Sequence, residues 1–197
     1  MSVEETVYKI LLVGTESSGK TALITRYTEK KFAGVFQTVL GFYSKSKEVE
    51  HDGEKLKIEF VRFNSSDDLS EDNCKNVDAL MMVYDITTPN TSEEIINCRN
   101  QFFKLSTGCY PNNFPVVVVG NKFDDEKDEV LENLRLDAFL EEHKYFHFKV
   151  SAKSNLNVDV MFDNIIKQMK DYETNHLEDK LPVSGLNRSD GGFCIIF

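Results

Sequence analysis

The sequence predicts an α/β fold: a doubly wound, mainly parallel sheet of six strands, one antiparallel strand at its edge and helices on both faces. Three observations carry this. Short apolar runs alternate with longer amphipathic stretches, the pattern of strand–helix–strand units. Asp52-Gly53 joins two candidate strands through a tight-turn signal, which makes that pair antiparallel. A glycine-rich turn stands between the first apolar run and the first helix.

Val7 to Val13 is apolar enough for a buried strand, and Lys20 to about Glu29 continues as a helix. Lys30 to Gly41 lacks a clean period and reads as a loop. Phe42 to His51 and Glu54 to Phe63 are the two strands of the hairpin. Asn64 to Asn76 is polar, a loop with at most one helical turn, and Ala79 to Tyr84 is a buried strand. Thr91 and Glu94 have capping-box spacing and open a helix to about Leu105. Pro115 leads into Val116 to Val119, a β-branched run expected at the centre of the sheet. Leu131 to His143 is amphipathic, and Tyr145 to Val150 is the sixth strand. The last helix runs from Val158 to about Glu173, with Val158, Val160 or Met161, Ile165 and Met169 on one stripe. Residues 1–175 thus form one domain, and 176–197 a flexible tail without periodicity.

Gly14-Thr15-Glu16-Ser17-Ser18-Gly19-Lys20-Thr21 fits G-x-x-x-x-G-K-[ST] between a strand and a helix. In such a loop backbone N–H groups face inward around a phosphate chain, and glycine permits the close approach. Lys20 reaches the terminal phosphates, the Thr21 hydroxyl ligates Mg²⁺, and the helix N-terminus adds partial positive charge. The fold expected is therefore that of a P-loop NTPase.

Composition narrows the class. The 197 residues are 41% hydrophobic and 28% charged, an ordinary globular balance, and the net charge of −10 argues against a nucleic-acid partner bound on a broad basic face. No opening run resembles a signal peptide, and no apolar stretch is long enough to cross a bilayer. Cys74, Cys98, Cys109 and Cys194 form no zinc pattern or disulfide frame. The first three read as buried or half-buried thiols of a reducing cytosol.

Two further motifs follow strands. Val119 runs into Gly120-Asn121-Lys122-Phe123-Asp124, and Val150 into Ser151-Ala152-Lys153. With the phosphate loop, and in this order, they resemble the Ras superfamily of small GTPases, whose guanine motifs are NKxD and SAK. The resemblance covers residues 7 to about 173. Tyr84-Asp85-Ile86-Thr87 and the Cys-terminated tail look most like the Rab branch. The resemblance implies GTP or GDP as ligand, held by Gly14, Glu16, Ser17, Ser18, Gly19, Lys20 and Thr21 at the phosphates. Asn121, Lys122, Asp124, Ser151, Ala152 and Lys153 serve the base. Asp124 accepts from guanine N1–H and its 2-amino group, where adenine offers no matching donors; a carboxylate left unsatisfied there costs ~1–3 kcal/mol or more. The Ala152 N–H is expected on guanine O6, the Lys122 and Lys153 stems beside the base, and Asn121 as a tie to the phosphate loop.

The hydrolytic residues depart from the family. Registering the first switch on Gly41 puts Val39 where the family has its Mg²⁺-binding threonine, with Thr38 one residue early as the second candidate metal ligand. In the second switch Arg62, Ser65 and Ser66 stand where the family keeps aspartate, glycine and glutamine. Ser66 is too short to orient an attacking water, so no catalytic residue is assigned and hydrolysis is expected to be very slow or absent. Glu16 occupies a loop position where Ras-type enzymes have glycine and Rab-type loops tolerate serine. Arg62 changes the local charge by about +2 beside a polyphosphate, where each unit pair at ~4 Å is worth roughly 4 kcal/mol before desolvation. It either pairs with phosphate oxygens, weakening the need for Mg²⁺, or turns to solvent or to Asp67 or Asp68.

Cys194-Ile195-Ile196-Phe197 fits C-a-a-X, and terminal phenylalanine favours a geranylgeranyl group. This implies a prenyltransferase, a prenyl-binding chaperone, and reversible attachment to the cytosolic face of an internal membrane or the plasma membrane. Effectors and regulators are expected at the Phe32 to Tyr43 and Asn64 to Asn76 loops, with Phe36, Phe42 and Tyr43 as exposed aromatics. Three functional readings stand: a Rab-like signalling protein with crippled hydrolysis, a true switch completed by Thr38 and a partner, and a scaffold on the same fold.

Overall fold

The computed structural model describes residues 6–33, 42–63, 68–89, 91–106, 110, 113–124 and 134–176. Thr38, Val39, Gly41, Ser65, Ser66, Asp67, Phe36, Cys109 and Cys194 lie outside them. Among the described residues the elements are β1 Val7–Gly14, α1 Lys20–Glu29, β2 Tyr43–His51, β3 Glu54–Arg62, α2 Glu71–Cys74 and β4 Ala79–Asp85. They continue with α3 Thr91–Leu105, β5 Val116–Asn121, α4 Leu134–His143, β6 Phe146–Lys149 and α5 Val158–His176.

The strands lie in one sheet in the order β2-β3-β1-β4-β5-β6. Every pair is parallel except β2–β3, whose register closes at His51↔Glu54. Asp52 and Gly53 both take positive φ there, 49° and 80°, the backbone of a two-residue turn whose twist matches the strands it joins.

Alternation along the strands separates two cores. Ile10 and Leu12 of β1, Met81 and Val83 of β4, and Val117 and Val119 of β5 face α1 and α5. Leu11 and Val13, Leu80 and Met82, and Val116 and Val118 face α2, α3 and α4. Covered on both sides, β4 and β5 are buried at every residue, which is why they read as unbroken apolar runs. In α5 the buried stripe is Val158, Met161, Phe162, Ile165, Ile166 and Met169. Met161 is buried and Val160 is 60% exposed, which decides between the two.

Several boundaries differ from expectation. Thr91 is itself the first helical residue of α3. The capping box that forms lies instead in the polar loop: the Asn73 N–H donates to Ser70 Oγ and the Ser70 N–H to Asn73 Oδ1, closing the single turn of α2. α5 runs on to His176, because its ring packs on Tyr172 with centroids 4.2 Å apart and pairs with the Tyr172 carbonyl. The boundary placed at 176 therefore falls on the helix's last residue. Cys74 and Cys98 are buried, and burial pushes the Cys74 thiol up to about 11. No described helix is long and apolar enough to cross a membrane.

Candidate nucleotide-binding site

The carboxyl ends of β1, β4 and β5 and the turn after β6 meet on one side of the sheet, where open α/β sheets hold their ligands. Gly14 to Thr21 connects β1 to α1 there. Backbone geometry requires its two glycines. At Gly14 (φ +131°) a Cβ would lie 1.9 Å from the Val83 carbonyl oxygen; at Gly19 (φ +89°) it would lie 2.3 Å from Asn121 Nδ2. Gly19 is the N-cap of α1 and contributes no side-chain cap, so the first-turn amides keep no intrahelical acceptor. That donor set suits an anion.

Lys20 is buried and folds back over the loop. Its Nζ donates to the Gly14 carbonyl at 3.1 Å and the Thr15 carbonyl at 2.7 Å, and reaches Ser18 Oγ at 3.5 Å. Burial, reinforced by the Arg62 charge, brings its pKa down to about 8 against opposing pulls from Cys98, Glu16 and Glu94. The Thr15 hydroxyl is buried without a hydrogen-bond partner among the described residues. A buried ammonium group and an orphaned hydroxyl in an amide-rich loop fit a phosphate chain. Glu16 and Ser17 are exposed, so the Glu16 carboxylate turns to solvent, and Thr21 is half-buried.

Asn121, 2% exposed, joins the loops. Its Nδ2 donates to the Ser18 carbonyl at 2.8 Å, and its Oδ1 accepts the Ala152 N–H at 3.1 Å. The expected tie to the phosphate loop is present. The Ala152 amide expected on guanine O6 is committed to Asn121, so a base contact there shares that donor. Asp124 accepts from Ser151 Oγ, and Lys153 Nζ lies 3.4 Å from its other oxygen. Each carboxylate oxygen keeps a lone pair for a further donor.

Two contributors escaped sequence reading. Arg26 of α1 donates from Nε to the Ala152 carbonyl at 2.7 Å and from Nη2 to the Lys153 carbonyl at 2.8 Å, locking the 151–153 turn to the helix behind the phosphate loop. Asp85 accepts Lys122 Nζ at 2.6 Å and Thr87 Oγ1 at 2.7 Å. Burial works to raise the Asp85 pKa, but these hydrogen bonds outweigh it and hold it below the usual value. Lys122 itself sits at φ 70°, which turns the chain sharply out of β5. No local pattern announces Arg26. Asp85 lies in the Tyr84-Asp85-Ile86-Thr87 run, whose pattern alone gives it no role.

Arg62 ends β3 opposite Leu12 of β1, and it is 3% exposed. The solvent-facing alternative is thereby overturned: the guanidinium is buried, with its carbon 5.7 Å from the Tyr43 ring centroid. Burial lowers its pKa, against raising contributions from Tyr43 and Asp68. Tyr43 accordingly packs on the body rather than standing free, whereas Phe42 is 57% exposed. Among the described residues no group of three or more His, Cys, Asp or Glu could hold a metal ion. Toward Mg²⁺ the described residues offer the Thr21 hydroxyl, and the Arg62 guanidinium stands where the family resemblance implies a carboxylate.

The fold and these loops define a P-loop NTPase-type nucleotide-binding fold. The model of the Ras family matches residues 9–171. The chain is 28% identical over 202 residues to the GTP-binding protein yptV5 of Volvox carteri, covering 95% of this chain and 97% of that one. It is 27% identical over 206 residues to the Ypt/Rab-type GTPase Rab7 of Gibberella zeae, with 98% and 99% covered. The Ras-related protein Rab7 of Drosophila melanogaster is 25% identical over 199 residues, with 95% of each covered. The chain belongs to the Ras family, within the Rab branch of the small GTPases.

Proposed function

We propose that this protein binds GTP and GDP as a Rab-type signalling protein of membrane trafficking, with absent or very slow hydrolysis. The observation that carries the reading is the double tie of Asn121 to Ser18 and Ala152, which joins the phosphate loop to the base-side turn. Held this way, Asp124 is presented for two donors on one edge of a purine, which guanine has and adenine lacks. The Rab7 and yptV5 relatives support guanine as the base.

The chain's own residues do three things. The loop amides and Lys20 neutralise phosphate charge, and Asp124 selects the base. Lys122 and Lys153 cover its two faces with their stems. The glutamine that orients water in the family is Ser66 here, and Glu16 occupies the position beside the phosphates where the family is small. Nucleotide state would then be changed by exchange and by partners at the loops around residues 32–43 and 64–76. Residues 1–175 act as the nucleotide-binding unit. The 176–197 tail carries a geranylgeranyl group on Cys194, added by a prenyltransferase and shielded in the cytosol by a prenyl-binding chaperone.

The decisive measurement identifies the nucleotide that co-purifies with the chain and compares GTP with ATP by equilibrium binding. Guanine nucleotide at near one per chain is expected. Equal uptake of ATP and GTP, or of neither, refutes the reading and leaves a scaffold. Single-turnover assay with and without cell extract separates crippled hydrolysis from a switch completed by Thr38 and a partner. Cys194→Ser is expected to abolish membrane association in cells, and its persistence would exclude the anchor.

A further inference from the structure

The position of Arg62 deepens the nucleotide-binding reading and rests on it. Strand parity puts Arg62 on the same face as Ile58 and Phe60, the face covered by α1. Register puts it beside Leu12, two residues before Gly14 opens the phosphate loop. Its neighbour across the hairpin is Tyr43, whose ring lies near the guanidinium. The side chain is thus buried at the carboxyl end of the sheet, on the helix side and next to the loop that Lys20 closes. The two cations sense each other, since the Arg62 charge lowers the Lys20 pKa. Among the described residues, the titratable groups acting on this pair are Cys98, Glu16 and Glu94 toward Lys20, and Tyr43 and Asp68 toward Arg62.

We propose that Arg62 is a built-in counter-cation for the bound polyphosphate, so that nucleotide retention does not depend on a divalent ion. A carboxylate at this place would help hold a hydrated metal against the phosphates. A guanidinium repels the metal and offers planar N–H donors to phosphate oxygens directly. Burial beside Tyr43 restrains the rotamer before the ligand arrives, and phosphate oxygens compete with Asp68 for the guanidinium. The consequence is a nucleotide switch insensitive to Mg²⁺, the ion that in the usual arrangement gates release.

The experiment uses the full chain loaded with a fluorescent GDP analogue and follows its release after adding excess GDP, in millimolar Mg²⁺ and in excess EDTA. Wild-type release is expected to differ by less than about threefold between the two, because Arg62 supplies the charge an ion would supply. Arg62→Asp, checked for folding by circular dichroism, is expected to release faster than wild type by more than about tenfold in EDTA, with Mg²⁺ restoring much of the loss. Arg62→Lys, which keeps charge but loses the fork, is expected to fall between. Wild-type protein that holds GDP in Mg²⁺ and loses it at once in EDTA overturns this proposal and leaves guanine binding intact. Failure to hold GDP under either condition overturns both.

Discussion

Replacing Asn121 by alanine tests whether one buried amide holds the site together. The change removes two hydrogen bonds, from Nδ2 to the Ser18 carbonyl at 2.8 Å and from the Ala152 N–H to Oδ1 at 3.1 Å. Ser18, Asn121 and Ala152 are all buried, so neither orphaned backbone group regains water without distortion. Each such group costs about 1–3 kcal/mol, so the expected destabilisation is about 2–6 kcal/mol. Partial relaxation favours the lower half of that range. Nucleotide affinity falls as well, because the two loops must be brought back into register on binding. If binding restores order worth one hydrogen bond, ~1.4 kcal/mol, the dissociation constant rises about tenfold. Urea denaturation of the nucleotide-free chain measures the first quantity, and titration with fluorescent GDP the second. Asn121→Asp is the control: it keeps an acceptor for the Ala152 N–H and loses the donor to Ser18. A loss under about 1 kcal/mol with affinity unchanged would show that the loops hold their places without this side chain.

Lys20 makes binding pH-dependent. Its folded pKa of about 8 lies below its ordinary 10.5, so between these values the unfolded chain binds more protons and the nucleotide-free protein gains stability as pH rises. Phosphate reverses the preference, so GDP affinity should drop about tenfold from pH 7 to 9 with measurable proton uptake in calorimetry; equal affinities would refute the assignment. Arg26→Ala removes both donors to the 152–153 carbonyls and should weaken GDP binding about tenfold while leaving circular dichroism unchanged, a result read by the same titration. Phe162→Ala tests the core alone. The ring is fully buried, stacked on Tyr27 with centroids at 4.2 Å and edge-on to Phe60 at 5.2 Å, so about 3–5 kcal/mol should be lost in urea denaturation.

Much of this molecule was legible in the chain because the relevant physics is local. Gly14 and Gly19 take positive φ angles that side chains rarely adopt, and Asp52-Gly53 supplies the two positive φ angles a tight hairpin needs. The apolar runs at 79–84 and 116–119 declare strands buried on both faces. Period alone leaves Val160 and Met161 open, and capping-box spacing does not show that Thr91 is already helical. Sequence by itself determined the order of strands and helices, the hairpin, and the three loop motifs that the fold gathers at one end of the sheet.

Tertiary structure decided the rest, since those facts depend on which distant groups become neighbours. Arg26 is an ordinary helical arginine until packing sets it under the 152–153 carbonyls, 126 and 127 positions away along the chain. Asp85 adds to its local Thr87 hydrogen bonds the larger pull of Lys122, which folding brings to 2.6 Å. Arg62 could have pointed to either side of its strand's end for all that composition says. Strand parity and the Leu12 register set it on the face that α1 covers, where it is buried.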